Sequence, residues 1–255
     1  MASRNILSPS FPPTGATEVS GIRLPRGRQV TTRLGATPQT VAWVSDDILA
    51  DALLAGLIAK LVEAFPVTGL WPLRAQGQRG DISSPWHDGE LAGPSARPSR
   101  HDALDVLRSM GAQLDHPALP VPTTLVPGTA GRELEPADLS TGPGDSGLLL
   151  VPVARPADVP ARLGWLGSCN WDLDGEGASA VLRSWEERFG IVLSAIGFDT
   201  MLLMVPPGRL EHVNARALAA EVYTFCPDLF EQGNFTLEGF VHRIPRAWAW
   251  KLWWD

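Results

Sequence analysis

The sequence is poor in cysteine and in long apolar runs, and each shortage narrows what the protein can be. Two cysteines, Cys169 and Cys226, cannot build the disulfide framework of a small secreted scaffold, so we expect free thiols. No apolar run approaches the roughly 20 residues of a bilayer-spanning helix. The first 21 residues lack the apolar region of a signal peptide. We therefore expect a cytoplasmic protein without a membrane partner.

An excess of positive charge is also missing. The chain carries 21 Lys and Arg against 28 Asp and Glu, a net charge of −7. Binding to a phosphate backbone needs a basic face, so we expect no nucleic-acid partner. An acidic chain suits a basic protein partner better. Only two of the basic residues are lysines, a bias that indicates a G+C-rich bacterial coding sequence.

Metal-binding patterns are absent as well. The five histidines are dispersed, and neither His-x-x-x-His nor Cys-x-x-Cys spacing occurs, so we predict no metal and no cofactor. Residues 172–177 begin like a calcium loop, but Arg183 stands where the bidentate glutamate should be. We interpret Asp174 and Glu176 instead as stabilising the start of a helix through its dipole.

What the sequence does have is tryptophan. Seven of the ten tryptophans fall within the last 91 residues, and residues 248–255 are the most aromatic stretch. Each Trp can bury on the order of 200 Å². The stretch is therefore expected to belong to a core or a binding surface. Because Trp248, Trp250, Trp253 and Trp254 fall on both faces of any strand, we expect two of them to point away from the core.

Composition divides the chain into four parts. We predict a flexible arm over 1–25, a small α/β module over 26–91, a Pro/Gly-rich linker with one helix over 92–147, and a C-terminal α+β domain over 148–255. In the linker, 117–147 is expected to be loop without a core of its own.

Hydrophobic periodicity predicts the elements of these parts. The N-terminal module is expected to contain strands 29–33, 40–44 and 69–73 and a helix over 48–64 that stops before Pro66; Pro72 suggests a sheet edge for its last strand. The linker helix is expected over 99–110. The C-terminal domain is expected to contain strands 148–153, 191–196, 200–205 and 247–254, a helix ending at Gly190, and helices 210–225 and 236–244. The fold class is therefore α+β, with a mixed, mainly antiparallel sheet and the helices of the C-terminal domain on one face.

Several stretches resemble the uncharacterised bacterial family catalogued as domain of unknown function 4253. The stretches within the C-terminal domain are Val181–Gly190, Ala219–Asp228 and Trp253-Trp254-Asp255. Upstream, Thr68–Leu73 and Pro85–Leu91 are similar to segments that precede the domain in many members. The resemblance covers 148–255 and extends to 22–91. It implies no activity, so no catalytic residue is carried over.

Glu221 is the polar residue that most needs an explanation. Its helical spacing to Ala217, Leu218 and Phe225 turns it partly inward, where a carboxylate needs a partner. Arg183 or Arg188 of the preceding helix can supply that partner. Glu221 is then either a structural ion pair or an acidic group at the floor of a Trp-lined pocket.

Three functions remain open at this point. The first is a protein-binding module, such as an immunity-type protein that occludes a toxin, with another, basic protein as its partner. Its binding residues would be Trp253, Trp254, Asp255, Glu221, Asp228 and Arg183. The second is an enzyme of unknown reaction with a site around Glu221, Asp228 and Asp255. The third is a structural or assembly protein. The oligomeric state is left open.

Overall fold

The computed structural model of the protein describes residues 11–35, 37–78, 81–95, 101–114, 118–142, 144, 146–233 and 235–255. Within these ranges the chain forms nine strands: β1 (Glu18–Val19), β2 (Ile22–Arg23), β3 (Gly27–Thr31), β4 (Thr40–Ser45), β5 (Leu70–Ala75), β6 (Gly147–Pro152), β7 (Val192–Ile196), β8 (Thr200–Met204) and β9 (Ala249–Trp253). The same ranges contain eight α-helices: α1 (Asp51–Thr68), α2 (Ala103–Gly111), α3 (Pro136–Ser140), α4 (Val159–Leu163), α5 (Gly175–Phe189), α6 (Ala215–Phe225), α7 (Asp228–Glu231) and α8 (Leu237–Arg243). None of these helices combines the length and apolar character that a bilayer crossing requires.

Seven strands form one mixed sheet in the order β3-β4-β6-β5-β7-β8-β9, while β1 and β2 pair separately. Every neighbouring pair in the large sheet is antiparallel except β5 and β7. The predicted α+β class with a mainly antiparallel mixed sheet is therefore confirmed. Strand β9 pairs with β8 and lies at one edge of the sheet, whereas β3 lies at the other.

The sheet runs across the domain boundary that composition predicts near residue 147. Strands β3, β4 and β5 come from the N-terminal segment, and β5 lies between β6 and β7 of the C-terminal segment. The division of the chain into four parts therefore remains a prediction. In the folded chain both segments contribute to the same sheet.

The sheet-edge position suggested by Pro72 is wrong, because β5 lies in the middle of the sheet. On one side Pro72 pairs in register with Leu150 of β6. On the other side β5 meets β7 only at Arg74 and Ala75. Proline lacks a backbone N–H, and the short contact with β7 does not require one at position 72.

Side chains of β6 alternate between two cores, one on each face of the sheet. Leu148 and Leu150 pack with residues of α1 in the smaller core. Leu149 and Val151 belong to the larger core, to which α4, α5, α6, α7 and α8 all contribute buried side chains. This alternation is the two-residue period of a strand buried on both faces. The helices of the C-terminal part therefore share one face, as predicted.

The boundaries of α5 follow from local signals, whereas the expected helix starts at 48 and 210 are wrong, because α1 begins at Asp51 and α6 at Ala215. Asp174 caps α5 by accepting a hydrogen bond from Gly177 N at 2.8 Å, as expected from its acidic start, and Gly190 ends α5 in the left-handed conformation. Helix α1, however, runs through Pro66 to Thr68. Pro66 lacks the N–H that would bond the carbonyl of residue 62, and only two helical residues follow it.

The segment between α2 and β6 is largely irregular, yet it is packed. Leu119, Val126 and Leu139 are each at most 5% exposed and belong to the larger core. Composition predicts the lack of regular structure here. It does not predict that side chains of this segment are buried in the larger core.

Candidate functional site

The tryptophans at the C-terminal end differ sharply in exposure. Trp250 and Trp254 are buried, Trp253 is half-buried, and Trp248 is 61% exposed. Alternation along β9 explains the difference between Trp250 and Trp253, because residues 250, 252 and 254 face the core while 251 and 253 face outward. Trp248 precedes the strand, and its exposure does not follow from this alternation. As expected, two of the four indoles lie outside the core.

The buried indoles form a continuous aromatic cluster. The ring of Trp254 meets those of Trp165 and Phe225 edge to face, with centroids 5.2 and 5.4 Å apart. Trp185 contacts Phe225 and Trp250 in the same way, at 5.2 and 5.5 Å. Such pairs contribute beyond the area that they bury. This cluster joins α5, α6 and β9 into one core.

Glu221 lies inside that core and its carboxylate is fully paired. Arg188 binds both oxygens, with Nη1 3.0 Å from Oε1 and Nη2 2.7 Å from Oε2. Trp185 Nε1 donates to Oε2 at 2.9 Å, and Val126 N donates to Oε1 at 2.6 Å. Glu221 is 0% exposed and lines none of four cavities of about 350 to 530 Å³ that described residues bound. The carboxylate is therefore an ion-pair partner and not the floor of a pocket.

Of the two arginines proposed for Glu221, Arg188 is the partner and Arg183 is not. Arg183 instead pairs with Asp158, Nε to Oδ1, at 3.2 Å. On α5, Trp185 and Arg188 are three residues apart and share a face, whereas Arg183 is five residues from Arg188. The phase of the helix thus separates Arg183 from the other predicted binding residues.

Asp228, 2% exposed, holds the end of the sheet in place. Its Oδ2 accepts hydrogen bonds from Trp171 Nε1 at 2.7 Å and from the backbone N of Asp255 at 3.0 Å. Its Oδ1 accepts from Gln232 Nε2 at 3.0 Å. Of the three carboxylates proposed for an enzyme site, Glu221 and Asp228 are thus buried in separate networks. Only Asp255 lines an open cavity.

Hydrogen bonds hold the last three residues of the chain in place. Trp254 N donates to the backbone oxygen of Asp199 at 3.0 Å, and Trp253 Nε1 donates to Asp199 Oδ2 at 3.2 Å. Asn170 Nδ2 donates to the backbone oxygen of Asp255 at 2.6 Å. The thiol of Cys226 donates to the Trp253 oxygen, and burial raises the pKa of that thiol well above its ordinary value.

These contacts form one wall of a cleft of about 450 Å³. The other walls come from the loop after α4 and from the N-terminal segment, including part of the 85–91 stretch. Its lining residues are Leu34, Gln78, Pro85, Glu90, Leu91, Trp165, Leu166, Gly167, Cys169, Asn170, Phe198, Asp199, Trp254 and Asp255. We call this cavity the acidic cleft, since the charged side chains of its described lining are Glu90, Asp199 and Asp255.

Close packing shapes the floor of the acidic cleft. Trp165 donates from Nε1 to the Gly197 oxygen at 2.9 Å. A Cβ at Gly167 would collide with the Phe198 oxygen and the Trp165 ring, so only glycine fits there. Trp165 and Trp254 are fully buried beneath the cleft, and its accessible apolar side chains include Leu34, Leu166 and Phe198. Such a lining can hold an apolar stem that ends in a positive charge.

Sequence reasoning found Trp254 and Asp255 of this cleft but missed Glu90, Cys169 and Asp199. Glu90 lies in the Pro85–Leu91 stretch singled out by resemblance, and that was a usable signal. Asp199 looked like an ordinary turn residue between two strands. Across the described residues, no group of three or more His, Cys, Asp or Glu side chains is placed to hold a metal ion.

Comparison with known proteins gives one result. A family model described as "Domain of unknown function (DUF4253)" matches residues 147–255. No curated protein and no solved structure matches the chain. The matched range begins with β6 and includes the aromatic cluster, Glu221, Asp228 and the C-terminal wall of the acidic cleft. Residues 147–255 of this chain therefore match the DUF4253 family, in agreement with the resemblance seen in the sequence.

Proposed function

We propose that the protein is a binding module that accepts a basic segment of another protein in the acidic cleft. The observation that carries the proposal is the lining itself, in which the charged side chains of described residues are all acidic and Leu34 and Phe198 offer accessible apolar surface. A Lys or Arg side chain of the partner would place its alkyl stem on Leu34 and Phe198, which are accessible apolar side chains of the lining, and its charge near Asp199 or Asp255.

The proposal differs from the binding surface expected from the sequence. It keeps Asp255 as a contact residue, whereas Trp254 is buried beneath the cleft. Glu221 and Asp228 support the fold behind the cleft, because their carboxylates accept hydrogen bonds from internal donors. Binding is favoured over the enzyme alternative for the same reason. An immunity-type protein would be one case of such a module.

Charge supports the choice of a basic partner. The chain carries a net charge of −7, which steers a basic protein toward it and raises the association rate more than the affinity. Two free cysteines fit a reducing compartment, and we therefore propose the cytoplasm as the place of action.

The exposed thiol of Cys169 offers a direct test, because it lies in the lining of the cleft. A photo-crosslinker attached to Cys169 of the intact protein should capture a partner from extracts of the native host. Cys226 is buried and should not be labelled. The captured protein, identified by mass spectrometry and then purified, is expected to carry a basic segment at the crosslink.

Charge reversal at the rim then decides whether the cleft is the binding site. Glu90→Lys should lower the association rate of the purified partner about tenfold and weaken its salt dependence. Glu63→Lys, on the exposed side of α1, makes the same charge change outside the cleft and serves as the control. Equal association rates for the two variants would contradict the proposal, as would a partner that crosslinks through an acidic segment.

A further inference from the structure

A second cavity, of about 530 Å³, lies beside β9 and shares no lining residue with the acidic cleft. Residues of α8, of β9 and of the connection between them form most of its wall. Its volume is in the usual range for pockets that hold small molecules. We call it the edge pocket, because β9 is the edge strand on this side of the sheet.

The edge pocket is apolar inside and aromatic at its surface. Leu229, Phe240 and Trp250 are buried residues of its lining. Phe235 and Trp248, also in the lining, are 40% and 61% exposed, which is unusual for such large apolar side chains. Aromatic groups left exposed around an apolar cavity are typical of a binding site.

The ionisable side chains in the described lining of the edge pocket are all of basic types. They are His242, Arg243, Arg246 and Lys251. Within the described part of the chain, none of Arg243, Arg246 and Lys251 takes part in a salt bridge. Arg243 instead lies over the Phe235 ring at 5.6 Å. A cluster of unneutralised cations on a chain of net charge −7 is a local feature that matches an anion.

An unpaired donor in the lining supports the same conclusion. The indole Nε1 of Trp250 is buried and has no hydrogen-bond partner among the described residues. Buried indole N–H groups usually find an acceptor. A carboxylate has lone pairs for several donors, so it can serve an indole N–H and a nearby cation together.

We propose that the edge pocket binds a small organic anion with an apolar body, of the class of medium-chain carboxylates. The hydrocarbon part would lie against Phe240 and Trp248, and the carboxylate would lie near Arg246 and Lys251. This assignment is independent of the acidic cleft, which carries charge of the opposite sign.

Octanoate and 1-octanol form a matched pair of probes, since they share an apolar chain and differ in charge. Titration calorimetry on the intact protein should show saturable binding of octanoate, with 1-octanol at least tenfold weaker. The double variant R246Q/K251Q should weaken octanoate binding at least tenfold and leave 1-octanol unchanged. Both side chains are exposed, so the variant is expected to fold.

The control variant R23Q/K60Q removes the same two charge types at exposed positions outside the pocket and should bind octanoate like the wild type. Trp248→Ala should weaken both probes. Equal affinity for the two probes, no saturable binding of octanoate, or an unchanged affinity in R246Q/K251Q would overturn the proposal. A dimer that Trp248→Ala dissociates would also overturn it, because the surface would then be covered by a second copy of the chain.

Discussion

Replacing Glu221 by Gln tests whether one buried carboxylate holds the irregular segment between α2 and β6, here called the middle segment, on the core. Four donors converge on its two oxygens: Arg188 Nη1 and Val126 N on Oε1, and Arg188 Nη2 and Trp185 Nε1 on Oε2. Glutamine has one oxygen and one NH2 group, so in either orientation two of these donors face another donor. The guanidinium, largely buried, also loses its counter-charge.

The expected loss in the free energy of unfolding is about 3–5 kcal/mol, the range for breaking a buried ion pair from one side. This is a large part of the roughly 5–15 kcal/mol that stabilises a typical domain. The effect should also be local. Arg188, which also donates to the Val126 oxygen, loses an acceptor in either orientation, and Val126 N loses its own when the NH2 group takes the Oε1 position. Proteases should therefore cut near Val126 earlier than in the wild type.

Urea unfolding followed by circular dichroism measures the first effect, and limited proteolysis measures the second. Glu238→Gln is the matched control, because it removes a carboxylate whose ion pair with Arg216 is exposed on both sides. That change should cost less than about 1 kcal/mol. The reasoning is refuted if Glu221→Gln is as stable as this control and the proteolytic pattern is unchanged.

Three further outcomes are expected. Deleting Trp250–Asp255 removes core tryptophans that cost about 3–5 kcal/mol each when truncated, so the shortened chain should lose cooperative unfolding; a soluble, cooperatively folded product would show that β9 is dispensable. A maleimide at about pH 8 should label Cys169 quickly and Cys226 only after unfolding, since burial raises the pKa of the Cys226 thiol; equal labelling rates in the folded protein would contradict this. Burial raises the pKa of Glu186 above its ordinary 4.5 in spite of Arg155 nearby. The folded state therefore holds this proton to higher pH than the unfolded state, and the associated stability is full below 4.5 and declines as pH rises through the raised pKa. Glu186→Gln should reduce that decline in urea titrations across this range, and an identical pH dependence would count against the assignment.

Much of the secondary structure could be predicted because its signals are local. The hairpin of β7 and β8 follows from two apolar runs around a Gly-containing turn, and α5 follows from its capping Asp174, its apolar stripe and its closing Gly190. The sheet position of Pro72 could not be predicted in this way. It depends on how far β5 extends along β7, and that register is set by residues more than a hundred positions away.

The candidate site was predicted only in part, for a similar reason. Trp254 and Asp255 stand out by composition, but the charge of the acidic cleft also needs Glu90 and Asp199, which come from distant parts of the chain. The partner of Glu221 is a different case. Helical phase on α5 already favours Arg188 over Arg183, because Arg188 shares a face with the buried Trp185.

The sequence by itself determined the class of fold, helix α5 with its cap, the expectation that the C-terminal tryptophans divide between two faces and the absence of a basic excess. These properties depend on periodicity and composition within a few turns of chain. Only the tertiary structure decided that both halves share one sheet, that Glu221 pins the middle segment, and that two cavities of opposite charge lie near β9. Each of these rests on contacts between residues far apart in sequence, whose pairing depends on the packing of the whole chain.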